Sequence, residues 1–145
     1  MNTPTVRKTI LLSGFLCALL AAGFTRAQTR ASVWDGVYSE EQAGRGALTF
    51  GEVCAACHGE DLRGDSNSPG LIGVSFMFLW EGRSLGELFT SIQSEMPPMN
   101  PNSLLSESYL DVLTYIMKVN NFPAGQDRLR SEFEQLDQIL ITPKP

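Results

Sequence analysis

Three stretches of this chain carry apolar residues at three- and four-residue spacing, the period of a helix with one buried face. The first opens at Ser39-Glu40-Glu41-Gln42, a capping-box pattern with Ser at the N-cap and Gln at N3. Ala43, Ala47, Phe50 and Cys54 share one face beyond it, so a helix is expected to run to about His58. Gly46 and Phe50 lie one turn apart, small beside large, which suits a close helix crossing. The second helix opens at Ser84, with Glu87 three residues on, and runs to about Ser94. Leu85, Leu88, Phe89 and Ile92 form its apolar stripe. The third is expected to be capped by Ser106, with Leu105 and Leu110 placed to form a hydrophobic staple. Leu110, Val112, Leu113, Ile116, Met117 and Val119 supply its core face and flank, and Asn120-Asn121-Phe122-Pro123 ends it.

Between these helices the pattern changes. Residues 59 to 73 are rich in glycine and charge and read as a long loop wrapping something, since compact domains seldom keep such loops without a function. Phe76-Met77-Phe78-Leu79-Trp80 is an apolar run too short to classify by period. Residues 95 to 105 hold three prolines and cannot be helical throughout. Trp34 and Tyr38 are candidate anchors for the lead-in. In the tail, Leu129, Phe133, Leu136 and Ile139 fall at helical spacing, for a short helix or an extended surface segment. No strand pattern stands out, and the expected class is all-α.

The first residues read differently again. Arg7 and Lys8 precede an uncharged run from Ile10 to Ala22, and Thr25-Arg26-Ala27 is a passable cleavage motif. The run is shorter than the roughly 20 apolar residues of a spanning helix, so a cleaved export signal is preferred to a permanent anchor. Cys17 lies inside that run, behind Phe15 and Leu16, and reads as apolar filler. The 145 residues therefore divide into a signal peptide at 1–27, a domain at 28–122 and a C-terminal tail at 123–145 that packs on or trails from it. Removing Arg7, Lys8 and Arg26 leaves 8 of the 11 basic residues against all 16 acidic ones, a net charge near −8. That balance argues against nucleic acid or an anionic membrane as partner.

The chemistry is concentrated in five residues. Outside the signal, both cysteines and the only histidine form Cys54-Ala55-Ala56-Cys57-His58. This is C-x-x-C-H, the attachment pattern of a c-type haem. Two thiols on one helical turn can bond the two vinyl edges of one porphyrin, and His58 can then reach the iron. A zinc site would need four ligands spread around the ion, and only three crowded ones are offered. A thioredoxin-like motif would want a βαβ context. A disulfide between Cys54 and Cys57 would close a tiny loop and stabilise little. One haem c held by two thioethers is therefore expected.

From about Trp34 to Phe122 the chain resembles the class I c-type cytochromes. The likeness rests on Gly46-x-x-x-Phe50 before C-x-x-C-H, then Pro69-Gly70-Leu71-Ile72-Gly73, a middle helix, Met96-Pro97-Pro98 and a last helix carrying Val112 and Tyr115. Trp34-Asp35-Gly36-Val37-Tyr38 and the Met-Pro-Pro loop are similar to bacterial periplasmic cytochromes that serve dehydrogenases or terminal oxidases. Ser68 departs from the glycine that many relatives carry there. The resemblance implies a cytochrome c fold, three main helices and loops around one haem. It also implies that the Pro69 carbonyl accepts the His58 Nδ1–H, that Leu71 packs on the haem face and that Val112 and Tyr115 meet the first helix. Trp80 is a candidate propionate donor or a packing residue, and Arg83 a surface arginine or a propionate partner.

His58 leaves one axial position on the iron. Met77, Met96, Met99 and Met117 are the soft donors available. Met117 lies on the last helix, where methionine is usually core. Met96 is favoured because it precedes Pro97 and is biased towards extended backbone, as well as by the family's Met-Pro ligand. Met99 is the alternative. His/Met ligation fills both axial positions and implies a periplasmic one-electron carrier, not an enzyme. Its expected partners are redox proteins, a dehydrogenase or a terminal oxidase. Two other readings are a dedicated haem subunit of a periplasmic dehydrogenase and, should no methionine reach the iron, a five-coordinate haem enzyme.

Overall fold

A computed structural model describes residues 30–145 of the chain. The expected signal peptide at 1–27, with Cys17, lies outside the described residues. Described elements run in the order β1 (Ala31–Ser32), α1 (Glu40–Thr49), a π-helical segment (Phe50–Cys54), α2 (Ala55–His58), α3 (Gly73–Trp80), α4 (Leu85–Glu95), α5 (Ser106–Val119), α6 (Phe133–Leu136) and β2 (Ile139–Leu140). The fold is all-α.

The first helix begins where the pattern predicts. Ser39 Oγ accepts the Gln42 N–H at 3.3 Å. The reciprocal half of the expected capping box is missing, because Gln42 is fully buried and turned elsewhere. Its amide donates to the Leu129 carbonyl at 3.0 Å and accepts the Leu129 N–H at 2.8 Å. A buried amide satisfied on both atoms makes a firm staple between α1 and the tail. Helical backbone continues from α1 through the π-helical segment into α2, so His58 ends one continuous rod.

α1 crosses α5 at Gly46, where a side chain would collide with the Asp111 backbone. The crossing is reinforced by Phe50 against Tyr115, ring centroids 5.4 Å apart. Arg45 grips the Asp111 carboxylate with two bonds of 2.8 and 2.9 Å. Leu85, Leu110, Leu113 and Met117 are sealed in the core between the helices. Each contributes roughly 1.5–3 kcal/mol by leaving water.

α4 carries a complete capping box between Ser84 and Glu87. α5 differs from expectation at its start. Leu105, not Ser106, is the N-cap residue, because the Leu105 carbonyl already accepts from Ser108 and Tyr109. Leu105 is 79% exposed, so it forms no staple with buried Leu110. The end of α5 closes with Asn121 in the left-handed region (φ 63°). Phe122 N–H bonds to Met117 O and Asn121 N–H to Lys118 O, a Schellman closure.

The tail packs on the domain. Leu129, Leu136, Ile139 and Ile141 are buried, while Phe133 is half exposed. β2 pairs in parallel with β1, Ala31 opposite Ile139 and Ser32 opposite Leu140. The sequence pattern does not signal this pairing, because two residues per strand leave no period to read. Trp34 donates its indole N–H to the Thr142 carbonyl at 2.9 Å, and Tyr38 its hydroxyl to the Phe122 carbonyl at 2.7 Å.

Candidate cofactor site

Cys54 closes the π-helical segment, and Cys57 and His58 occupy the single turn of α2 that follows. Both cysteines are free thiols. Cys54 is half-buried and Cys57 is exposed. Burial pushes the Cys54 thiol up to about 11, with the neighbouring Cys57 adding to the effect. Cys54 is therefore a neutral thiol at ordinary pH.

His58 is buried, with 8% of its surface exposed. Its Nδ1 lies 3.0 Å from the Pro69 carbonyl oxygen. A carbonyl can only accept, so Nδ1 carries the proton, which in the neutral ring leaves the lone pair on Nε2. Among the described residues Nε2 makes no hydrogen bond. The imidazole is thus held in the tautomer a metal ligand needs, by a partner that also fixes its plane.

The loop between α2 and α3 is shaped to deliver that carbonyl. Gly64 adopts φ 66°, and a Cβ there would meet Ser68 O at 2.2 Å and Pro69 C at 2.7 Å. Its N–H bonds to the His58 carbonyl at 2.8 Å. The Asp65 carboxylate accepts from Asn67 N at 2.7 Å and Ser68 N at 2.9 Å. Ser68 O accepts in return from Asp65 N, so serine fits this turn without strain from a missing glycine. Leu71 N–H bonds to Leu62 O at 2.8 Å, and half-buried Leu71 packs against the core. The Leu71 carbonyl accepts from Asn120 Nδ2 at 2.9 Å, while Asn120 Oδ1 accepts from Gly73 N–H at 2.9 Å.

Met96 caps the C-terminus of α4 in extended conformation, φ −118° and ψ 145°. It is half-buried. The Tyr109 hydroxyl donates to its carbonyl at 2.8 Å. Met99 is 95% exposed, Met77 is half-buried in α3, and Met117 is sealed in α5. Trp80 ends α3 half-buried, with the Arg83 guanidinium stacked 4.2 Å from its ring centroid. Arg83 Nε also bonds Glu87 at 3.1 Å, so Arg83 is already engaged. Among the described residues the Trp80 indole N–H has no acceptor.

Cys54, Cys57, His58, Pro69 and Leu71 therefore form one connected group. Met96 and Trp80 stand on other elements, and among the described residues no hydrogen bond joins them to His58. Nor is any cluster of three or more His, Cys, Asp or Glu among those residues placed to hold a metal ion. The donor set is two thiols to tether a cofactor and one imidazole to coordinate it, which fits a haem c. Asn120 joins that group through the Leu71 carbonyl, and Tyr109 bonds the separate Met96, neither with any signal in the sequence. Nothing in the order of residues tells where a helix-borne hydroxyl or a terminal amide will point.

No family model matches the chain, and no curated protein matches it. Among solved structures, the chain is similar to one in the crystal structure of the sulfane dehydrogenase SoxCD from Paracoccus pantotrophus. Identity is 17% and the TM-score 0.49 over 74% of this chain, which spans 61% of that one.

Proposed function

We propose that this chain is an exported one-electron carrier with one haem c, tethered by Cys54 and Cys57 and ligated by His58 and Met96. The observation that carries the reading is the His58 ring, directly after two free thiols and fixed through Nδ1 by the Pro69 carbonyl. A bound haem would supply an Fe(III)/Fe(II) couple tuned by its axial ligands. The protein's own part is to anchor, orient and shield. Cys54 and Cys57 fix the group covalently, and Pro69 keeps the imidazole plane from turning. Leu71 offers an apolar wall, and the Trp80 N–H is a donor for a carboxylate. Were His58 and Met96 both to hold the iron, no site on it would remain for substrate, the property of a carrier rather than an enzyme. Redox proteins, a dehydrogenase or a terminal oxidase, are the expected partners. No helix among the described residues is long and apolar enough to cross a membrane.

The test is the exported protein made in a cell that assembles c-type haem. Acid–acetone should leave haem on the wild-type chain, and Cys54→Ala with Cys57→Ala should hold none. The ferric spectrum should be low-spin, with a far-red methionine-to-iron band. Haem surviving extraction in the double variant, or a high-spin wild type, would overturn the proposal. Gel filtration from the source cell then separates a carrier running alone from a haem subunit held in a dehydrogenase.

A further inference from the structure

The segment that carries Met96 is tied to the first turn of α5 by one side chain. We infer that Tyr109 is the positioning residue for Met96, an inference that rests on Met96 being the second iron ligand. The Tyr109 hydroxyl donates to the Met96 carbonyl at 2.8 Å and accepts the Leu104 N–H at 3.3 Å. Met96 and Leu104 stand at opposite ends of the loop between α4 and α5. One hydroxyl therefore closes that loop on itself.

The clamp is rigid because its base is rigid. Tyr109 is 1% exposed and sits beside Leu110 and Leu113 on a helix packed on both sides. Met96 is held twice: its N–H bonds to Ile92 O at 3.0 Å, and its C=O takes the Tyr109 hydroxyl. With both backbone groups fixed, only the side-chain torsions of Met96 remain free. Its sulfur then samples a small volume, and little entropy is lost on ligation. Inside the loop, Asn100 N–H bonds to Pro97 O at 2.9 Å and Asn102 N–H to Gln93 O at 3.0 Å. Neither of these touches Met96 itself. Without the hydroxyl, the Met96 carbonyl and the Leu104 amide would turn to water, and the thioether would hold the iron less firmly.

Tyr109→Phe keeps the ring and deletes the clamp. The experiment titrates the ferric holoprotein with imidazole, which competes with the methionine, and follows the far-red band. The variant should lose the band at about fivefold to tenfold less imidazole than wild type, the ratio expected of one hydrogen bond. Equal demand for imidazole in both proteins, with the band present in each, overturns the inference and leaves His/Met ligation standing. A wild type without the band overturns the ligation and the inference together. Hydrogen exchange of the wild-type Leu104 amide needs no variant and covers the case in which Tyr109→Phe fails to fold. Protection near that of the α5 amides supports the clamp; exchange at the rate of an open loop overturns it.

Discussion

Gly46 and Asp111 touch backbone to backbone: a Cβ at Gly46 would lie 1.9 Å from the Asp111 carbonyl oxygen and 2.4 Å from its carbon. That contact sets the distance between α1 and α5. It therefore sets where the rod ending at His58 stands against the helix bearing Tyr109 and leading to Asn120.

Gly46→Ala should therefore destabilise the protein although alanine is the better helix former. The obstacle is backbone and cannot rotate away. The helices must part, at a cost of up to about 3 kcal/mol that outweighs the roughly 1 kcal/mol gained in propensity and leaves a net loss of about 2 kcal/mol. At Gly44, two residues earlier on the same helix, an added Cβ would meet nothing within 4 Å. Gly44→Ala should accordingly stabilise by up to about 1 kcal/mol. Urea unfolding of the two variants beside wild type checks both signs; equal shifts would mean that the crossing is looser than the contact implies.

How much of this is legible in the sequence follows from how local each signal is. Cys54 to His58 can be read because the two thiols and the imidazole are contiguous in the sequence. Ser84 and Glu87 can be read because a capping box is complete within four residues. Ser39 and Gln42 look the same, yet Gln42 is drawn away by Leu129, 87 positions along the chain. The staple expected of Leu105 does not form, since the helix cap falls one residue early and leaves that side chain in water. The apolar run Phe76 to Trp80 has no readable period and belongs to α3. The hydrogen bonds of Tyr109 and Asn120 depend on tertiary packing, which no spacing encodes.

Tyr38 gives the protein an alkaline limit. Its buried hydroxyl donates to the Phe122 carbonyl, and burial, with the Glu40 charge adding, raises its pKa from 10.0 to about 12. The folded form keeps the proton where the unfolded chain releases it. The stabilisation is complete below pH 10 and is lost as pH rises from 10 to about 12. The loss is on the order of 2 kcal/mol. Tyr38→Phe should start less stable, because the Phe122 carbonyl loses its donor, and should lack this part of the alkaline fall. Denaturant midpoints across that window, wild type against variant, measure the difference. Parallel curves would assign the fall to other groups.

Met96 and Met99 lie three residues apart in one loop, and the structure treats them differently. Met96 is half-buried, extended, and pinned through its carbonyl by Tyr109. Met99 is 95% exposed. A ligand must hold its sulfur in one place against water and thermal motion. A fixed backbone meets that demand, whereas a freely exposed side chain must lose its rotamer entropy on binding, up to about 2 kcal/mol. Met96→Ala should therefore abolish the far-red band of the ferric protein and open the iron to added imidazole. Met99→Ala should keep the band, with an imidazole titration close to that of wild type. The reverse result, with the band lost in Met99→Ala and kept in Met96→Ala, would move the ligand three residues along the loop. It would also mean that the loop rearranges when haem is attached, because the extended, doubly bonded backbone at Met96 favours that residue over its neighbour.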